Sequence, residues 1–328
     1  MRGPTRLRWP NLFLVGAAKA GTTSLYRELA RHPAIYMSPM KEPHFFSQIE
    51  PAPGREAFFP HVTDEDEYLA LFEGATTEEV LGEASTSYLW DRQAAERIKS
   101  VVPEARILIM LRNPVDRAYS QYWNDVREGI ERRSFLDALL EERRSGPGGW
   151  GVSSLHIDCG RYADQVERYL DRFGVRVHVL LFEDFVSHEA STIADVHSFL
   201  GVRSATAGAA QRRMNPASLP RNTLSAALLA SGTVRRVVRS TVPRSLRSRL
   251  RVSLLKQATP PPMDPAARAL LTEIYRPEVG RLAELLGRPV PWEPQVAGRS
   301  APSLPREGPS LDEVPVRADE EPPPGGVP

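Results

Sequence analysis

Strand-length runs of apolar residues alternate along this chain with segments whose apolar residues recur at helical spacing. The clearest run is Ala105–Leu111 (ARILIML), continuous where a half-exposed strand would alternate, as expected of a strand buried on both faces of a parallel sheet. Leu12–Gly16 and Val175–Phe182 read as further strands, Val80–Gly82 as a short one ending in Glu83, and Ala34–Met37 as a brief extended piece. Between them the pattern predicts helices at about Thr22–Arg31 and Glu65–Phe72, from an Asp91 N-cap to Ser100, after Pro114, and at Phe135–Arg144, Arg161–Phe173 and Ser191–Leu200. A last helix is predicted over Pro265–Leu286, with Trp292 closing the folded part. Strands alternating with helices predict an α/β fold with a central, mostly parallel sheet flanked by helices.

Length allows one or two domains in 328 residues, and no internal repeat argues for more. We expect a single domain over 10–295 and a disordered acidic, Pro-rich tail over 296–328. The net charge of +1 gives no reason to expect nucleic acid as a partner. Charge is unevenly placed, however: the segment 212–256 is rich in arginine and has no acidic residue. Within it Val242, Leu246, Leu250 and Leu254 recur at helical spacing, which suits a weak peripheral membrane contact through 234–256, an acidic acceptor, or an apolar stripe packed on the domain with its arginines solvated.

Cys159 is the only cysteine, which excludes an intrachain disulfide and a Cys-rich metal site and leads us to expect the cytoplasm. No apolar run reaches the ~20 residues of a spanning helix, so neither a signal peptide nor a membrane anchor is expected.

The chemistry begins at LFLVGAAKAGTT, residues 12–23, where a strand enters a glycine-bracketed turn and a helix opens on Thr22 and Thr23. Backbone N–H groups at such a helix start, with a nearby cation, cradle phosphate. In the common triphosphate loop the lysine follows the second glycine and the next hydroxyl holds magnesium. Here Lys19 precedes Gly21 by two residues and Thr22 occupies the lysine's slot. The anion is met without that magnesium geometry, and no metal is expected. A tight strand-to-helix turn that binds nothing would also read this way.

Two further segments bear on this loop. In RNPVDRAYSQYW a buried strand delivers Arg112 to the sheet edge where ligands of open α/β sheets gather, and the following helix presents Ser120. Arg112 there suits a bidentate phosphate grip, or else a surface salt bridge. In KEPHFF, residues 41–46, Glu42 lies beside Lys41, one residue before Pro43 and two before His44. It is a candidate base on a stiff segment, or a solvated Lys-Glu pair ahead of a buried Phe45-Phe46 anchor.

Together these segments resemble the sulfotransferases that use 3′-phosphoadenosine 5′-phosphosulfate (PAPS), over about Pro10 to Trp292. GAAKAGTTSL looks like the family's 5′-phosphosulfate loop and RNPVDRAYSQYW like its 3′-phosphate motif. KEPHFF and GEASTSYLW are similar to the branch that includes the heparan sulfate sulfotransferases and bacterial relatives. The resemblance implies a P-loop-containing sulfotransferase-like fold and PAPS as co-substrate. Lys19, Ala20, Gly21, Thr22 and Thr23 would hold the 5′-phosphosulfate, and Arg112 and Ser120 the 3′-phosphate. Glu42 would be the catalytic base with His44 in support, and Lys19 would neutralise the leaving phosphate. The acceptor would be a hydroxyl, with an amine second, of a glycan or other small molecule.

The chain also departs from that pattern. Where glycosaminoglycan members often have Glu-Lys-[Ser/Thr]-Pro, it has Ala84 in place of the lysine and Thr86 in place of the proline. A second catalytic lysine is therefore missing. In QRRMNPASLPRN, which corresponds to the region of those members' donor-closing loop, Asn215, Ser218 and Arg221 are candidates for donor contact. Tyr162 suits donor or acceptor contact, or core packing, while His156 and Cys159 have no partner pattern and stay unassigned. The competing classes are a P-loop kinase or NTPase, which the lysine position and Arg112 argue against, and a non-catalytic nucleotide-binding relative.

Overall fold

The continuous apolar runs form the middle of a five-stranded sheet whose strands are all parallel. A computed structural model describes residues 8–48, 61–128, 130–150, 155–203, 218–220, 255–257 and 260–292, which fall in a compact unit spanning Met1–Glu293. The strands are β1 (Leu12–Gly16), β2 (Ile35–Met37), β3 (Val80–Ala84), β4 (Arg106–Leu111) and β5 (Val177–Leu181), ordered β2-β3-β1-β4-β5. β1 is central: Leu14 pairs with Ala84 of β3 on one side and with Leu108 of β4 on the other. Every residue of β1, and every residue of β4 after Arg106, is buried, which is why neither alternates in sequence. Burying each large apolar side chain there contributes about 1.5–3 kcal/mol.

This order fixes where a ligand can sit. From β1 the chain turns to β2 and returns to β3 on one side, then lays β4 and β5 on the other. Connections leaving the carboxyl ends of β1 and β4 therefore diverge, and a crevice opens between them.

The helices are α1 (Thr22–Leu29), α2 (Glu65–Ala70), α3 (Ser87–Trp90), α4 (Ala94–Val101), α5 (Pro114–Glu128), α6 (Phe135–Ser145), α7 (Tyr162–Phe173), α8 (Phe182–Ser187), α9 (Glu189–Leu200) and α10 (Pro265–Leu286). Local chemistry sets several ends. Ser134 accepts from the Asp137 N–H at the start of α6, and Asp264 accepts from the Ala266 N–H ahead of Pro265 in α10. Gly287, with φ +61°, ends α10. Facing sides of α5, α6 and α10 enclose a second small core that includes Ala118, Tyr122, Phe135, Leu139, Leu271 and Tyr275.

Two local expectations change. Asp91 does not cap α4: it ends α3, and its carboxylate accepts the Gln93 N–H in the turn before α4 begins at Ala94. A residue of capping type follows an unforeseen single helical turn, so its signal was read one element late. The strand expected to reach Phe182 stops at Leu181, and Phe182 opens α8.

Of the arginine-rich segment 212–256, only the backbone of 218–220 and 255–256 is described. There β6 (Ser218–Pro220) pairs antiparallel with β7 (Leu255–Gln257), Ser218 opposite Gln257. Asn215, Arg221, most of the proposed membrane-contact stretch 234–256 and the tail from 296 lie outside the described residues. Among the described residues no helix is long and apolar enough to cross a membrane.

Candidate active site

Lys19, Ala20 and Gly21 form the turn between β1 and α1, at the carboxyl edge beside β4. The Ala17 N–H donates to the Met110 carbonyl at 2.6 Å and ties the turn to β4. Gly21 caps α1 at φ +91°, and a Cβ added there would lie 2.6 Å from the Phe182 ring, so this position requires glycine. Ala20 and Thr22 are buried and Thr23 is half-buried, and the N–H groups of Thr22 and Thr23 open α1 at the carboxyl edge of the sheet, as suits an anion.

Arg112, just past β4, reaches the same turn: its Nη1 donates to the Lys19 carbonyl at 3.3 Å, and its guanidinium lies 4.9 Å from the centre of the Phe182 ring. The buried Tyr162 hydroxyl donates to the Arg112 carbonyl at 3.0 Å, and burial raises its pKa. That hydrogen bond, with its burial against the Trp292 ring, gives Tyr162 a packing and anchoring place. Ser120 lies on α5, half-buried, two turns after Arg112.

Lys19 extends to α5, where its Nζ donates to Asn124 Oδ1 at 3.3 Å. Burial, and next the charge of Arg127, push its pKa down to about 8, while Asp125, Glu42 and Glu128 act in the opposite sense. The Lys19 ammonium and the Glu42 carboxylate are close enough for each to stabilise the other's charge.

Glu42 is held from three sides. Its N–H donates to the Ala84 carbonyl at 2.8 Å, its carboxylate pairs with Lys41, and its Oε2 lies 3.6 Å from His44 Nε2. Burial alone would raise the carboxyl, but Lys41, His44 and Lys19 outweigh it and hold it below the ordinary value. His44 is fully buried, with Nδ1 2.7 Å from Ser87 Oγ, and burial pushes its pKa down to about 4 despite Glu42. Phe46 is buried against Phe13 and Tyr68, and Phe45 is half-buried and stacked on Tyr68, so the segment after Glu42 is anchored in the core.

Among the described residues, the non-glycines with positive φ are Lys19 (67°), Glu42 (64°) and His44 (61°). Left-handed backbone costs a side chain about 1–2 kcal/mol, and such residues gather at functional sites.

Other polar residues found no place in the site. Cys159 is buried and its thiol is pushed up to about 12, as for an inert structural cysteine. His156 is buried between Asp125 (3.2 Å) and Glu142 (3.8 Å). Sequence reading missed Asn124 and Phe182. Asn124 was legible as the residue four after Ser120 on one helix face, and Phe182 as the residue leaving β5 at the edge where β1 and β4 end. Ala84 and Thr86 are buried and bring no cation to the site.

Residues 10–206 match the model of the sulfotransferase family. Heparan sulfate glucosamine 3-O-sulfotransferase 6 of Homo sapiens is 30% identical over 203 residues, covering 61% of this chain and 55% of that protein. The bifunctional heparan sulfate N-deacetylase/N-sulfotransferase 4 of Mus musculus is 26% identical over 294 residues, 86% of this chain and 31% of the relative. The chain spans about half the length of the first curated relatives it matches. Among solved structures, a sulfotransferase from Alicyclobacillus acidocaldarius is 34% identical with a TM-score of 0.64, covering 86% of this chain and 98% of that one.

Proposed function

The chain belongs to the sulfotransferase family, and from that membership we propose that it moves a sulfuryl group from PAPS to a hydroxyl, or secondarily an amine, of a glycan or other small acceptor. The observation that carries this reading is the pair of Lys19 and Glu42, a cation in the β1–α1 turn and a carboxylate that stabilise each other's charge, each on left-handed backbone. In the reaction Glu42 takes the acceptor proton as the acceptor oxygen bonds to sulfur. The bond from sulfur to the bridging oxygen breaks, and the electron pair stays on the 5′-phosphate of adenosine 3′,5′-bisphosphate. Lys19 meets the charge that grows on that oxygen, and the N–H groups at Thr22 and Thr23 meet the phosphosulfate. Arg112 and Ser120 hold the 3′-phosphate, and Asn215, Ser218 and Arg221 are assigned to donor closure.

His44 is buried and neutral at pH 7, so it supports Glu42 without competing for the proton. The glycan acceptor draws its support from the names of the heparan sulfate relatives. Absence of a lysine at Ala84 argues that the acceptor is contacted differently here.

The test is transfer of labelled sulfate from PAPS to an acceptor panel. Wild type should label at least one acceptor, and Glu42→Ala should lose ~100-fold or more in kcat while still binding adenosine 3′,5′-bisphosphate. Full activity in Glu42→Ala would remove the base from Glu42. Binding of magnesium ATP with no response to adenosine 3′,5′-bisphosphate would overturn the donor assignment.

A further inference from the structure

Every second residue of the Glu42–Phe46 segment is tied by its N–H to the end of β3 or the turn beyond it. Glu42 donates to the Ala84 carbonyl at 2.8 Å, His44 to Ser85 Oγ at 3.0 Å and Phe46 to the Tyr88 hydroxyl at 3.2 Å. Two of these acceptors are hydroxyls, and a hydroxyl accepts from an amide only with its own proton turned away, which in a buried site requires a second acceptor for that proton. Both protons go to one place. Ser85 Oγ donates to Glu83 Oε2 at 2.9 Å, and the Tyr88 hydroxyl also hydrogen-bonds the Glu83 carboxyl. Tyr68 completes the set by donating to Glu83 Oε1 at 3.1 Å. Glu83, Ser85, Tyr88, Tyr68 and His44 are all fully buried, so no solvent competes for these protons.

We propose that Glu83 is a positioning residue for the base: by taking the protons of Ser85 and Tyr88, it turns their oxygens toward the His44 and Phe46 amides and holds the Glu42–His44 backbone in place. The proposal rests on the reading of Glu42 as the base. It gives a reason for a carboxylate inside the core, where packing alone would call for an apolar side chain. The acceptor role belongs to the ionised carboxyl, which burial confines to pH above about 7, so the test is read there; an amide cannot substitute for it. Glutamine would donate an N–H to one of the hydroxyls and turn that hydroxyl's proton onto a backbone N–H.

Hydrogen exchange of the His44 and Phe46 amides reads the network directly, and kcat with donor KM reads its consequence. Ser85→Ala should expose the His44 amide to exchange while Leu81 on β3 stays protected. Its kcat should fall about 10- to 100-fold with donor KM within roughly twofold of wild type. Ser85→Thr, which keeps the hydroxyl, should restore both. Glu83→Gln should act in the same direction, and if it fails to fold, the Ser85→Ala and Ser85→Thr pair decides. Unchanged His44 exchange in Ser85→Ala, or lost protection with wild-type kcat, overturns the proposal. A folded wild type that transfers no sulfate to any acceptor would count against Glu42 as the base, while the exchange arm would still judge the role of Glu83.

Discussion

Oδ1 of Asn124 stands between two cations: it accepts from Lys19 Nζ at 3.3 Å and from Arg127 Nη2 at 2.6 Å. The arrangement parks the lysine beside a like charge. With burial as the larger cause and Arg127 next, Lys19 titrates at about 8. Below that pH the ammonium is present to meet a phosphosulfate, and above it the charge is lost. Affinity for adenosine 3′,5′-bisphosphate, measured by calorimetry, should therefore fall as pH rises through about 8. In Lys19→Arg, whose guanidinium stays charged, that fall should vanish. A wild-type profile flat across this range would show that Lys19 does not meet the donor.

Arg112 offers a test that separates the two ends of the donor. Arg112→Ala should weaken binding of adenosine 3′,5′-bisphosphate about 10- to 100-fold, as expected for losing charge-assisted hydrogen bonds. Adenosine 5′-phosphosulfate, which lacks the 3′-phosphate, should be weakened only slightly. Equal weakening of both would instead assign Arg112 to holding the turn through the Lys19 carbonyl.

Gly21→Ala combines a left-handed φ of +91° with a methyl 2.6 Å from Phe182. A loss of about 1–3 kcal/mol in unfolding free energy is expected, read as a lower denaturant midpoint at unchanged slope. Stability within ~0.5 kcal/mol of wild type would mean that Phe182 moves freely, and its stacking under Arg112 would lose its weight.

His44 and Glu83 make opposite contributions to stability as pH changes. Burial pushes His44 from 6.5 down to about 4 and Glu83 from 4.5 up to about 7. For His44 the unfolded ring takes its proton first, so its contribution is present above 6.5 and lost as pH falls toward 4. For Glu83 the folded carboxyl keeps its proton longer, so its contribution is full below 4.5 and lost as pH rises through about 7. Between 4.5 and 6.5 the two slopes oppose each other. Removing one should unmask the other: the melting temperature of Glu83→Gln should rise with pH across this window more steeply than that of wild type. Parallel curves would contradict it.

The sheet was legible because its central strands are buried on both faces and so carry unbroken apolar runs; β1 and α10 have the bounds their sequence predicts. Short elements were less so. The single turn Ser87–Trp90 has too few residues to show a period, and α8 starts without a break where β5 ends. In the site, residue types and spacing pointed to Lys19, Glu42 and Arg112, yet nothing in them signals left-handed backbone at a lysine, a glutamate and a histidine. That conformation is imposed by tertiary hydrogen bonds, such as the one from the His44 N–H to Ser85, a residue 41 positions away.

Three side chains on left-handed backbone also bear on how this protein could be improved in the laboratory. A selection for heat tolerance alone would reward glycine or asparagine at 19, 42 and 44, since each relaxes backbone that its present residue holds at a cost. The variants it enriched would melt later while losing the side chains proposed to act on the donor and acceptor. Any thermostabilised form of this chain has to be chosen by turnover first and melting temperature second.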